Sequence, residues 1–172
     1  MSSFPKRDPK SDHLITPQNA ALLVIDYQPI QITSINSMDK RELIMNMGVL
    51  ADLAKAYDLP IILSTVNVKT GMNHDTLPVI RQKFGNIPSY DRTTINAWED
   101  KEFYEAVQAT VRKNFLMAAL WTDSCLPCPT MYATSQGFTV YPVADSVGRT
   151  SVFAHQLGLP GLHQSGETLT SS

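Results

Sequence analysis

The chain has 172 residues, 43% hydrophobic and 17% charged, with a formal net charge of −2; this fits one globular domain with a sizeable core and excludes a disordered chain. The near-neutral balance supplies no field for nucleic acid or an anionic membrane surface, and no uninterrupted apolar stretch is long enough to span a bilayer. Two cysteines do not make a disulfide framework, and the polar residues 1–13 lack the apolar segment of a secretory signal, so a reducing compartment, the cytosol, is expected.

Residues 1–17, with Pro5 and Pro9, read as an arm on the surface or on a neighbouring subunit. Residues 18–157 read as the domain, and 158–172 as an irregular polar tail. The first strand is Ala20 to Asp26; a polar, β-branched stretch from Gln28 to Met38 follows, with Pro29 as a breaker. Asp39 stands three residues before Glu42, a capping-box spacing, and opens a helix. Leu43, Met47, Leu50, Ala54 and Tyr57 recur at steps of four and three and share its inner face. Asp58-Leu59-Pro60 ends that helix, and Ile61 to Val66 is the second strand. Residues 67–92 hold Gly71, Pro78, Gly85 and Pro88, and read as a mobile loop with a short helix at Leu77 to Phe84. A third strand is expected at Arg92 to Ile95. Asp100 caps a helix from Lys101 to Arg112 whose inner face carries Phe103, Val107 and Val111. Lys113 to Thr122 is the fourth strand. Pro127 and Pro129 suit the first turn of a helix that runs to Gln136 and stops at Gly137. Phe138 to Ala144 is the fifth strand, ending at Asp145, which reads as a cap or loop former. Ser151 to Leu157 starts a last helix, which Gly158, Pro160 and Gly161 are expected to break. The tail has no strand pattern, so the sheet is expected to stop one unit early. Strands alternating with helices predict a mostly parallel sheet.

Two strand exits carry the functional argument. Ala21-Leu22-Leu23-Val24-Ile25 ends at Asp26, and Phe115 to Thr122 ends just before Cys125. Apolar runs of this kind are buried on both faces, and ligands bind beyond their carboxyl ends. A carboxylate and a thiol at two such exits can meet in one cleft, where the carboxylate takes the proton and the thiolate is the nucleophile. The other reading of Cys125 is a small buried hydrophobe, but its place at a helix start, which lowers a thiol pKa, favours chemistry. Asp26 is otherwise a loop cap.

These residues resemble the isochorismatase-like cysteine hydrolase superfamily. Leu22 to Gln28 is similar to its first-strand motif, and Trp121-Thr122-Asp123-Ser124-Cys125 to its nucleophile motif. Arg92 to Asp100, Gly137-Phe138 and Val143 to Ser146 resemble its YcaC-like branch more narrowly. The likeness runs from about residue 12 to about residue 155, and residues 158–172 do not match. It implies a three-layer α/β/α fold that lacks the family's last strand and helix. It also implies a triad of Asp26, Arg92 and Cys125, and a cis peptide at Trp121–Thr122 that turns backbone N–H groups, including that of Cys125, toward a substrate oxyanion. Most of the superfamily has lysine where Arg92 stands. Arginine stays protonated, so its part is electrostatic: it holds Asp26 ionised and Cys125 as thiolate, or it binds the oxyanion. The alternative for Arg92 is an ordinary salt bridge.

Gln28, Asn96 and Trp98 are pocket candidates; the last two line the pocket or an interface, with plain packing as the other reading. The zinc ligands of nicotinamidase relatives are not evident; His74 reads as solvated, and His13, His155 and His163 share no ligand spacing. No metal or organic cofactor is expected. The activity the resemblance implies is hydrolysis of a small amide, imide or related carbonyl compound by a homo-oligomer, with an octamer among the assemblies it suggests. Two rivals stand beside it. Cys125-Leu126-Pro127-Cys128 has the C-x-x-C spacing of a dithiol redox protein, with Cys128 as a resolving thiol; or the chain is an inactive binding or scaffold member of the same fold.

Overall fold

Five short strands carry the architecture of the computed structural model, which describes residues 6–164 and 168–172. β1 (Ala20–Ile25), β2 (Ile61–Val66), β3 (Ser89–Arg92), β4 (Asn114–Ala119) and β5 (Thr139–Pro142) form one sheet in the order β3-β2-β1-β4-β5. Every pairing is parallel. All residues of β1 and β4 are buried, because both faces of the sheet are covered. Side-chain alternation sends Ala20, Leu22 and Val24 into one core and Ala21, Leu23 and Ile25 into another. The first core is closed by α1 (Pro29–Ser34), α2 (Lys40–Ala56) and α3 (Pro78–Phe84), through Ile32, Leu43, Met47 and Ile80. The second is closed by α4 (Lys101–Ala109) and α5 (Pro127–Ser135), through Phe103, Val107 and Ala133. The fold is therefore a three-layer α/β/α sandwich.

This winding positions the site. The chain builds outward from β1 through β2 to β3, then crosses to the other side of β1 for β4 and β5. The β1–β4 boundary is thus the topological switch point, where an open α/β sheet presents its crevice. The register Ile25↔Ala119 brings the carboxyl ends of these two strands level there.

The helix caps follow the sequence. Asp39 Oδ1 accepts from the N–H groups of Arg41 (2.7 Å) and Glu42 (3.2 Å), and Asp100 Oδ1 accepts from that of Phe103 (2.9 Å). Two inner-face expectations fail for the same reason, an earlier helix end. Tyr57 is the C-cap of α2 and stands exposed, while Val111 lies beyond α4, is 86% exposed and has a φ of +55°.

Three other expectations are corrected. Pro29 opens α1 instead of breaking the chain, because the first N–H of a helix has no internal acceptor to lose. β3 ends at Arg92 instead of starting there: pairing with β2 runs from Leu63↔Ser89 to Val66↔Arg92. Gly158, Pro160 and Gly161 lie inside α6 (Val152–Gln164). Gly158 serves close approach and is no stop signal, since a Cβ there would stand 2.6 Å from the Thr122 carbonyl oxygen. As expected, the sheet ends at β5, and the tail adds one isolated bridge at its edge. Thr170 bridges Val143, donating to the Pro142 carbonyl (3.0 Å) and accepting from the Ala144 N–H (2.8 Å). The Ser172 N–H (3.0 Å) and Oγ (2.8 Å) then donate to the Asp145 carboxylate. At the other end, Asn19 Nδ2 donates to the carbonyls of Asp12 (3.0 Å) and Leu14 (2.8 Å), folding the arm onto its own chain. Among the described residues, no helix is long and apolar enough to cross a membrane.

Candidate active site

Asp26 follows β1 directly, is fully buried and has a φ of +65°. Left-handed backbone is uncommon for a residue with a side chain and concentrates at functional turns. The Asp26 N–H donates to the Ser64 carbonyl at 3.0 Å, which fixes the turn to β2.

Arg92 reaches Asp26 from two strands away. Adjacent strands lie about 4.8 Å apart, so the side chain must extend across the end of β2, and β2 supplies acceptors along the way. Nη1 donates to Asp26 Oδ1 (2.7 Å), Ser64 Oγ (3.0 Å) and the Thr65 carbonyl (3.1 Å). Nη2 donates to Asp26 Oδ2 (2.7 Å) and the Ile95 carbonyl (3.0 Å). The result is a buried, bidentate ion pair, with Nε left without a partner among the described residues. Burial works against the guanidinium charge, but the hydrogen bonds and charge of Asp26 outweigh it and raise the Arg92 pKa further. Both Nη groups are committed to Asp26 and to fixed protein oxygens.

Cys125 completes the cluster from the β4 exit. It is 7% exposed, its thiol accepts from Ser124 Oγ at 3.8 Å, and it stands near enough to Asp26 and Arg92 for both charges to act on its titration. The helix start was expected to lower its pKa; instead burial, reinforced by the charge of Asp26, pushes it up to about 12 against the opposing pull of Arg92. α5 offers little relief. Pro127 and Pro129 occupy its first turn and lack the N–H groups that such a turn directs at an anion. The resting cluster is thus a neutral thiol beside a carboxylate–guanidinium pair.

The turn before Cys125 has selective hydrogen bonding. The N–H of Thr122 donates to the Gly148 carbonyl (3.3 Å), and those of Ser124 (3.3 Å) and Leu126 (3.2 Å) donate to the Trp121 carbonyl. Those of Asp123 and Cys125 meet no acceptor among the described residues. The cis peptide is Leu120–Trp121, one bond before the expected Trp121–Thr122. Leu120 still bridges Gly148, so the chain leaves the sheet immediately after it. Thr122 is fully buried, and its Oγ1 has no partner among the described residues.

Each pocket candidate has partners of its own. Gln28 is fully buried and ties the β1 exit to β2 and the following loop: Oε1 accepts from the Val66 N–H (2.9 Å), and Nε2 donates to the carbonyls of Val66 (3.0 Å) and His74 (2.7 Å). Asn96 Oδ1 caps a short 3₁₀ turn through the Trp98 N–H (3.1 Å). Trp98 packs against Phe103, Tyr104, Phe115 and Phe138, and its indole N–H donates to Gln136 Oε1 (3.1 Å). Cys125 and Cys128 are both free thiols, the second half-buried. Among the described residues, no three His, Cys, Asp or Glu side chains are grouped to hold a metal ion.

Sequence reasoning missed Ser64 and Arg149. A hydroxyl ending the apolar run Ile61-Ile62-Leu63 was a usable signal for Ser64, because a buried polar group needs a partner. Arg149 had none; its role comes from contacts with chain segments far away in sequence.

The isochorismatase domain model matches residues 20–172, including the tail that was expected to fall outside the likeness. The probable hydrolase YcaC of Escherichia coli (strain K12) is 32% identical over 152 residues, spanning 88% of this chain and 73% of that protein. The crystal structure of Escherichia coli YcaC, described as an octameric hydrolase of unknown specificity, superposes with a TM-score of 0.87 at 29% identity, over 94% of this chain and 79% of that one. YcaC from Pseudomonas aeruginosa, solved with hexane-2,5-diol and covalent acrylamide, gives a TM-score of 0.87 at 29% identity, over 98% of this chain and 81% of that one. The chain belongs to the isochorismatase family.

Proposed function

We propose that this member of the isochorismatase family is a cysteine hydrolase of a small, carbonyl-bearing amide or imide, with Cys125 as nucleophile and Asp26 as base. The observation that carries the reading is the buried Asp26–Arg92 fork beside the Cys125 thiol at the switch point of the sheet. With the thiol pushed up to about 12, the nucleophile is not a standing thiolate. The proton passes to Asp26 as sulfur attacks the carbonyl carbon. Negative charge moves to the carbonyl oxygen, where the N–H of Cys125 receives it. The tetrahedral intermediate collapses, the amine leaves with the proton from Asp26, and a thioester remains on Cys125. Asp26 then takes a proton from water as its oxygen attacks the thioester; the carbon–sulfur bond breaks, the acid leaves, and the proton passes from Asp26 to sulfur to restore the thiol. Arg92 holds the carboxylate in register throughout. The covalent acrylamide of the Pseudomonas aeruginosa relative supports this reading, since a small amide-bearing electrophile was captured there. The octameric relative supports a homo-oligomer, and two free thiols suit the cytosol.

Hydrolysis of a panel of small amides and imides tests the assignment. Cys125→Ala and Asp26→Asn each abolish turnover, while Cys128→Ala leaves it intact. Loss of turnover on Cys128→Ala favours the dithiol rival instead. Turnover unaffected by Cys125→Ala overturns the proposal.

A further inference from the structure

Arg149 joins three chain segments around the turn that carries Cys125. Its Nη2 pairs with Asp123 Oδ2 at 2.7 Å, and its guanidinium carbon lies 5.1 Å from the centre of the Trp121 ring. Trp121 is also held by its indole N–H, which donates to Ser34 Oγ at 2.8 Å. The main chain of Arg149 is fixed to the same segment after α1. Its carbonyl accepts from the N–H groups of Asn36 (2.9 Å) and Ser37 (3.1 Å), and its N–H donates to Ser37 Oγ (2.9 Å). One residue earlier, Gly148 bridges Leu120 and accepts from the Thr122 N–H. Gly148 has no room for a side chain, because a Cβ there would stand 2.9 Å from Ile35 Cγ2.

The Arg149–Asp123 pair is partly exposed, its side chains 21% and 36% accessible. Such pairs add little to global stability. Position accounts for the arrangement better. Trp121 and Asp123 each have a polar or charged partner outside the turn, and the N–H groups of Asp123 and Cys125 are those with no acceptor among the described residues. Fixing the two side chains fixes where those N–H groups point.

We propose that Arg149 is a positioning residue that clamps Trp121 and Asp123 so that the backbone N–H of Cys125 faces the charge developing on a bound carbonyl oxygen. The inference rests on Cys125 being the nucleophile. It is separable from that reading because two thiol reagents place different demands on the turn. With iodoacetamide, a sulfur–carbon bond forms, iodide leaves and no charge develops on the carbonyl oxygen. With acrylamide, sulfur bonds to the terminal alkene carbon, the alkene electrons move onto the carbonyl oxygen as an enolate, and the thiol proton ends on the adjacent carbon. The second reaction requires a positioned oxyanion donor and the first does not.

The experiment measures both modification rates at Cys125 by mass spectrometry, in a Cys128→Ser background, with thermal unfolding followed in parallel. Arg149→Met slows acrylamide addition by about tenfold and changes the iodoacetamide rate by no more than about twofold. Arg149→Lys recovers part of the loss, because it keeps the charge on Asp123 without the flat guanidinium on Trp121. Asp123→Asn attacks the same contact from its other end and gives the same selective loss, which keeps the test open if Arg149→Met folds poorly. Equal slowing by both reagents, or no slowing of acrylamide in either variant, overturns the clamp while leaving Cys125 as nucleophile. An unsubstituted chain that reacts with neither reagent at Cys125 overturns the nucleophile and the clamp together.

Discussion

Asp26 acts on Cys125 in two opposed ways. At rest its charge helps to raise the thiol pKa, after the larger effect of burial, and in the proposed reaction its carboxylate takes the thiol proton. Asp26→Asn separates these effects. The thiol of the variant ionises at lower pH, because Arg92 then acts without the opposing carboxylate, so Cys125 alkylation by iodoacetamide at pH 8 is faster than in the unsubstituted chain. Amide hydrolysis is lost nonetheless, because asparagine accepts no proton. A pH profile of alkylation beside a hydrolysis assay checks both halves. A variant that alkylates more slowly at pH 8 would show that Asp26 does not hold the thiol neutral. Removing the other partner has a structural consequence. Arg92→Met leaves the fully buried Asp26 charge unpaired and lowers stability by about 3–5 kcal/mol, measured by denaturant unfolding.

Two elements end in ways that make separate predictions. Val111 sits exposed just past α4 with a φ of +55°, a backbone region that a β-branched side chain disfavours. Val111→Gly relieves that strain and raises stability by roughly 0.5–1 kcal/mol, seen as a higher denaturation midpoint. Gly158 has the reverse demand, since its missing Cβ lets α6 approach the Thr122 carbonyl. Gly158→Ala forces α6 away from the nucleophile turn, lowers stability by about 1–3 kcal/mol in thermal unfolding, and slows hydrolysis through the displaced turn. The sequence was legible where a pattern is local. The apolar run of β1, the Asp39 cap and the spacing of Leu43, Met47 and Leu50 each reflect forces acting within one element. It was misleading where a residue type has two uses. Pro29 and Gly158 read as breakers, whereas one starts a helix and the other permits a contact with Thr122 that lies far away in sequence.

At the scale of the whole molecule, the parallel sheet converts strand order into proximity. Asp26 and Cys125 could be paired from sequence because both follow strands buried on both faces, and adjacent strands of such a sheet open one crevice. The reach of Arg92 across β2, the acceptors of Ser64 and Thr65, and the Arg149 clamp could not be read, because each depends on which strands are neighbours. The buried thiol also couples the site to global stability. Its ordinary pKa of 9.0 applies in the unfolded chain, and burial pushes it up to about 12 in the fold. Between those values the unfolded chain binds fewer protons than the folded one. The contribution of Cys125 is therefore complete below pH 9 and is lost as pH rises toward 12. Denaturant unfolding at a series of pH values is expected to find a fall over this range that is smaller in Cys125→Ser; identical pH dependence in the two chains would contradict the buried neutral thiol.

The most direct measurement is rapid-quench mass spectrometry of the chain mixed with small amides and imides. A transient acyl mass on the Cys125 peptide is predicted in the unsubstituted and Cys128→Ala chains, and its absence in Cys125→Ala. Turnover accompanied by an acyl group on Cys128, or turnover that persists in Cys125→Ala, would contradict the account.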